Sequence, residues 1–195
     1  METGDIAGRK KGIRVKMLAS RAAQSAFWRA LRSRKICARI SRLSAFRRAK
    51  VVALFNPFRG EVNVLPVVRL ALRAGKVVAF PRVEGKGKIS FYRINSLSGL
   101  VKSRYGIMEP ARDATRRIDN PDLFIVPGAA FSGTGGRLGY GGGFYDRILK
   151  KRSAVAVGVA FGFQITAVLP EGPHDAGMDA VATEARVFFC APHKG

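Results

Sequence analysis

Residues 123–147 read LFIVPGAAFSGTGGRLGYGGGFYDR, and the fold class turns on this stretch. Its first four residues form a continuously apolar run, the pattern of a strand buried on both faces. Pro127 and Gly128 close that run, and a helix is expected from about Phe144. Between them, Gly128 to Gly143 hold eight of the chain's 22 glycines. A glycine-rich loop from strand to helix presents backbone N–H groups suited to an anion. Two common phosphate patterns nevertheless fail. Gly-x-Gly-x-x-Gly started at Gly133 meets Leu138 at its sixth place, and started at Gly139 it meets Phe144. The P-loop pattern needs Lys after its second glycine, but Gly136 to Gly141 is followed by Gly142. Arg137, Tyr145, Asp146 and Arg147 add guanidinium clamps, an aromatic face and a hard carboxylate within a few residues.

Working outward, short apolar runs at 51–55, 77–80, 89–94, 154–160 and 181–189 read as further strands. Asn63 can cap a helix running to Ala74, with Pro66 in its first turn and Gly75 ending it. Residues 10–50 read as two basic amphipathic helices. Ile13 and Met17, Phe27 and Leu31, and Ile36, Ile40 and Leu43 each fall at helical spacing. Phe27 and Trp28 are read as core. Helices separated by short strands give a single-domain α/β fold. The expectation is a mostly parallel sheet layered with helices, Rossmann-like but without a standard dinucleotide motif. Residues 1–9 are read as a flexible tail, 10–190 as the domain and 191–195 as a second tail.

Composition narrows the class. The chain has 195 residues, 47% of them hydrophobic, which suits one globular domain and excludes fibrous or wholly disordered readings. No run approaches the ~18 apolar residues of a membrane span, so no membrane partner is expected. Two cysteines far apart, Cys37 and Cys190, exclude a disulfide scaffold and a Cys-rich zinc site. The start lacks the apolar core of a secretory signal, and a cytoplasmic setting is expected; its Arg-rich, acid-poor character also resembles a mitochondrial transit peptide. Charge is the outlier: 35 Lys and Arg against 13 Asp and Glu give +22. No acid lies between Asp5 and Glu61, and eight of the 13 acids follow Pro110. Such a field draws in polyanions, including nucleotides, polyglutamates and RNA, without choosing among them.

The segment from Val126 to Arg147 resembles the signature of the 5-formyltetrahydrofolate cyclo-ligase family, also called 5,10-methenyltetrahydrofolate synthetases. Other segments agree in order over residues 10–188: Lys10 to Arg14 (KKGIR), Gly60 to Val62, Tyr105 to Pro110 (YGIMEP), Gln164, Leu169 with Pro170, and His174 with Asp175. Two features depart from the pattern. Residues 20–46 are more basic than is usual in the family, and Phe144 stands where a Tyr is common.

The resemblance implies an ATP- and Mg2+-dependent ligase. The γ-phosphoryl of ATP passes to the formyl oxygen of 5-formyltetrahydrofolate, N10 attacks, and 5,10-methenyltetrahydrofolate, ADP and phosphate result. It also implies site residues. Lys10, Lys11, Gly12, Ile13 and Arg14 would hold ATP with Arg137, Leu138, Gly139, Tyr140, Gly141, Gly142, Gly143, Phe144 and Tyr145. Asn56, Glu61 and Tyr105 would bind the folate, bordered by the same segment from Tyr140 to Phe144. Asp146 and Asp175 would hold magnesium. No side chain is assigned covalent catalysis, and His174 is read as orienting a loop. Folate, with or without a polyglutamate tail, and ATP are the expected partners, with weak non-specific RNA binding from the basic surface. The alternative is a basic RNA-binding protein that kept this fold; against it, RRM, KH and zinc-finger signatures are missing.

Overall fold

The computed structural model describes residues 3–85, 87–103 and 106–191. Three helices open the chain: α1 (Thr3–Ala22), α2 (Ala26–Arg42) and α3 (Ser44–Arg48). Two were expected, and the first begins inside the stretch 1–9 read as a tail. Ser25 breaks α1 from α2, its Oγ accepting the Trp28 N–H at 3.1 Å as an N-cap. Then come β1 (Val51–Ala53), α4 (Leu65–Arg73), β2 (Val77–Gly85), β3 (Lys88–Ile94), β4 (Leu100–Lys102), β5 (Met108–Pro110) and β6 (Arg117–Ile118). The second half supplies β7 (Leu123–Val126), β8 (Ala130–Ser132), β9 (Arg137–Leu138), α5 (Phe144–Leu149), β10 (Val155–Val159), β11 (Ile165–Thr166), β12 (Ala180–Ala182) and β13 (Val187–Phe189). The run 181–189, read as one strand, is the hairpin β12–β13, turned at Thr183, whose Oγ1 accepts the Arg186 N–H at 3.1 Å. The second tail, beyond Ala191, lies outside the described residues.

The main sheet has the order β13-β12-β10-β7-β1-β2-β3-β6. Its five central strands, β12 to β2, are mutually parallel, and the edges add antiparallel neighbours. Parallel strands covered on both faces read as unbroken apolar runs, and the side chains divide by parity. Val52, Leu54, Leu123 and Ile125 join the core under α2 and α4, with Ile36, Ile40, Val67 and Ala71. Ala53, Phe124 and Val126 face the other way, toward Phe131, Leu149 and Met178. Gly75 ends α4 in the left-handed region (φ 71°), with the Lys76 N–H returning to Ala71 O at 3.0 Å.

Phe27 corrects the core reading, since it is 79% exposed. It precedes the buried Ile36 by nine residues, about half a turn around the helix at 3.6 residues per turn. Trp28, next to it, does reach the core and meets the Phe161 ring at 5.1 Å.

Candidate functional site

In an open α/β sheet, ligands bind beyond the carboxyl ends of the strands where the strand order reverses. Here that point lies between β1 and β7: β2 is on one side of β1, and β7 on the other. The segment after β1 carries Asn56 and Glu61, and the segment after β7 carries the glycines. That glycine segment is more ordered than a loop. Its first half is the β8–β9 hairpin, closed by the Gly136 N–H donating to Ser132 Oγ at 2.8 Å. Residues 139–143 remain as the turn into α5, with Gly141 (φ 101°) and Gly143 (φ 62°) in conformations that disfavour side chains. Because α5 has only six residues, its dipole is a minor source of positive charge. Side chains must supply it.

They do so in two ion pairs. Lys10 Nζ donates to Asp175 Oδ2, and Arg137 Nη2 donates to Asp146 Oδ1 at 2.6 Å. The pairs adjoin, since the Ala176 N–H approaches Asp146 Oδ1 at 3.4 Å. Asp175 Oδ2 also accepts the Gly172 N–H at 2.7 Å. Arg137 is buried, its guanidinium 5.6 Å from the centre of the Tyr145 ring. Arg137 Nε and the Tyr145 hydroxyl are buried with no hydrogen-bond partner among the described residues. Burial pushes the Tyr145 hydroxyl pKa up. Beside these pairs opens a cleft of about 790 Å3 lined by Arg137, Lys150, Arg152, Gly172, Asp175 and Asp179, among others. Among the described residues no three His, Cys, Asp or Glu side chains form a metal cage. Two carboxylates nevertheless fit Mg2+, which takes one or two from a protein and completes its shell with phosphate and water.

The second end of the site centres on Glu61. Its Oε2 accepts the Phe58 N–H at 3.0 Å, and its Oε1 accepts the Tyr140 hydroxyl. The turn that presents it is strained: Arg59 has φ 47° and Gly60 φ 75°. Burial raises the Glu61 pKa, opposed by Tyr140, the Phe58 N–H and Arg21. Burial, chiefly, and the Glu61 charge raise the Tyr140 pKa.

Helix α1 reaches both ends. Lys10, Arg14 and Arg21 fall within about 40° of one another around a helix of 3.6 residues per turn. Arg14 Nε donates to Gly139 O at 2.8 Å, and Arg21 Nη1 donates to the Tyr140 oxygen at 2.7 Å. Ile13 packs beside Met17 on Ala130, Leu138 and Leu169. Lys11 and Gly12 are exposed on the outer side, away from this cluster. Asn56 is half-buried just past β1; Phe144 packs into the core against the sheet. Tyr105 lies outside the described residues. Arg147 Nη1 donates to Gly87 O at 2.7 Å and Gly142 O at 3.0 Å, tying the β2–β3 turn to the glycine segment. His174 is exposed.

Sequence reading missed Arg21 and gave no role to Gln164 or Glu109. Gln164 is buried and donates to Gly128 O and Ala129 O, at 3.2 and 2.8 Å, fixing the start of the glycine segment. Glu109 is buried, and burial raises its pKa against the pull of the Val83 N–H and Arg82. The spacing Lys10, Arg14, Arg21 was the signal available for Arg21.

Comparison with known proteins bears on the family and the fold. The profile of the 5-formyltetrahydrofolate cyclo-ligase family matches residues 6–184. The chain is 35% identical over 147 residues to the 5-formyltetrahydrofolate cyclo-ligase of Escherichia coli, covering 72% of this chain and 81% of that one. It is 29% identical over 171 residues to a probable 5-formyltetrahydrofolate cyclo-ligase of Schizosaccharomyces pombe, covering 78% and 84%. The solved Aquifex aeolicus 5,10-methenyltetrahydrofolate synthetase superposes with TM-score 0.83 at 36% identity, over 95% of each chain. A Mycoplasma pneumoniae synthetase, at 23% identity and TM-score 0.70 over 90% of this chain and 98% of that one, shares the fold. None of these similarities supports the RNA-binding alternative.

Proposed function

The chain belongs to the 5-formyltetrahydrofolate cyclo-ligase family, and from that premise we propose that it closes 5-formyltetrahydrofolate to 5,10-methenyltetrahydrofolate at the expense of ATP. The observation that carries the reading is the adjacent Lys10–Asp175 and Arg137–Asp146 pairs at the sheet's switch point. Two cations for a polyphosphate and two carboxylates for its metal stand ready in one place. In this reading the triphosphate lies over the two ion pairs, held by Lys10, Arg14, Arg137 and the backbone of residues 138–145. Asp146 and Asp175 hold Mg2+. When bound, the metal neutralises charge on the transferring phosphoryl group. The folate lies toward Glu61 and Asn56, bordered by Tyr140 to Phe144, with Tyr105 assigned to the same pocket.

The division of labour follows from the chemistry. A formamide oxygen is a poor leaving group, and phosphorylation makes it a good one. N10 then attacks the formyl carbon, the carbon–oxygen bond breaks, and phosphate leaves. The protein's task is to set the γ-phosphate and the formyl oxygen in line and to keep positive charge around them. The ionised Glu61 carboxylate accepts two N–H bonds from the amino-pyrimidine edge of the pterin, which fixes the ring's orientation.

Incubation with 5-formyltetrahydrofolate, ATP and Mg2+ tests the reading. The methenyl chromophore should develop only with nucleotide and metal both present, one phosphate released per methenyl formed. Formation independent of ATP, or none from folded protein, would overturn it.

A further inference from the structure

Arg21 is 2% exposed, one of the largest side chains the fold buries. A buried guanidinium needs compensation, and among the described residues no carboxylate touches it directly. Its Nη1 donates to the Tyr140 oxygen at 2.7 Å, its charge lies 5.5 Å from the centre of that ring, and its Nε has no partner among the described residues. The geometry fixes a proton's direction. A phenol oxygen that accepts from Arg21 sends its own O–H elsewhere, and the recipient is Glu61 Oε1. The Phe58 N–H occupies Oε2. Both carboxylate oxygens are therefore fixed, and each keeps a lone pair for another donor. The chain of bonds runs from the buried Arg21 to Tyr140, which is 47% exposed, and each bond polarises the next.

We propose that Arg21 is a positioning residue for the folate end of the site: through Tyr140 it orients the Glu61 carboxylate and supplies its counter-charge. The proposal rests on the functional reading above. It also makes α1 a strut between the two ends. Lys10 and Arg21 are eleven residues apart, about 16 Å along a helix, and Arg14 and Arg21 grip the adjoining residues Gly139 and Tyr140.

The test compares Arg21→Met, Arg21→Lys, Tyr140→Phe and Arg21→Met with Tyr140→Phe. Arg21→Met should raise the KM for 5-formyltetrahydrofolate about tenfold or more, leaving the KM for ATP within twofold. Arg21→Lys, which keeps a charge and a donor, should recover part of the loss. In the Tyr140→Phe background, Arg21→Met should add little, because the path to Glu61 is already cut. An Arg21 that only stabilises the fold would cause equal losses in both backgrounds and shift both KM values together.

A second arm needs no turnover: titration of the Glu61 carboxyl carbon by NMR in 13C-labelled protein. Arg21, Tyr140, Tyr145 and the Phe58 N–H act on this carboxyl, and the Arg29 side chain passes over the neighbouring Gly60. Arg21→Met should move its midpoint upward, and Arg21→Lys less so. Wild-type protein inactive on 5-formyltetrahydrofolate, with the midpoint still moved, would refute the functional reading and leave Arg21's role standing. An unmoved midpoint with an unchanged folate KM would refute the proposal.

Discussion

Glu61 is the residue on which pH should act. Burial raises its pKa above the ordinary 4.5, so its protonation begins at less acidic pH than for a free glutamate. In the proposed pose, a protonated carboxyl loses an acceptor for the pterin edge. The KM for folate should therefore rise as pH falls toward 4.5, and Glu61→Gln should flatten the profile at a uniformly weaker affinity. Stability carries the opposite sign. The folded state holds the proton more tightly than the unfolded one. Glu61's contribution is therefore fullest below 4.5 and declines as pH rises through the raised value. Wild-type melting measured against Glu61→Gln across this range checks the sign. The two carboxylates at the other end separate by burial. The Arg137 side chain is 3% exposed, so Asp146→Asn strands a buried cation and should cost roughly 3–5 kcal/mol of stability besides turnover. The Lys10 side chain is 15% exposed and flexible, so it can turn to water. Asp175→Asn should lower kcat by ~10²-fold, as for loss of one preorganised charge, with little change in Tm. Equal melting losses in the two variants would contradict this ordering.

Helix α1 shows how far elements could be read from sequence. The i, i+4 spacing put Lys10 and Arg14 on one face, and the structure turns that face toward Asp175 and Gly139. Replacing both by Ala should raise the KM for ATP and lower turnover, with folate affinity nearly unchanged; wild-type ATP kinetics would return the helix to a solvated basic face. The helix start was misplaced because Gly4 and Gly8 are poor helix formers and Ile6 is the one large apolar residue from Thr3 to Arg9. Phe27 was misread because Phe27 and Leu31 share a stripe of their own, turned away from the one that Ile36 and Ile40 bury. The strands were legible because burial on both faces leaves unbroken apolar runs, as in β7. The β8–β9 hairpin was hidden by its glycines, which are demanded by packing: a Cβ on Gly136 would come within 2.8 Å of Ser132 Oγ. No local pattern encodes such a contact. The same holds for the Arg137–Asp146 pair, whose members were both singled out while their partnership was not.

Across the whole molecule, the five-strand parallel centre and its switch point bring segments 79 residues apart, Glu61 and Tyr140, into contact. That convergence could be inferred only from the family-like motifs, since strand order is not written in any one of them. The +22 charge is partly silenced at the site, where Lys10 and Arg137 already hold carboxylates. In the proposed reaction, a triphosphate draws these cations away before Asp175 and Asp146 take a metal. Mn2+ alone should thus bind weakly. A non-hydrolysable ATP analogue should bind at least tenfold tighter with the metal present, by reciprocal linkage. Lys10→Met should let Mn2+ bind without nucleotide, read by water-proton relaxation; equally tight Mn2+ binding to wild type without nucleotide would contradict the exchange.

Phosphate built on the formyl oxygen would carry that atom away with it, and an oxygen label follows the atom. Wild-type protein is given 5-formyltetrahydrofolate carrying 18O in its formyl group, with ATP and Mg2+, and the inorganic phosphate released is analysed by mass. One 18O is expected in each phosphate, matched to each methenyl group formed. Unlabelled phosphate, with the 18O recovered in water, would contradict it.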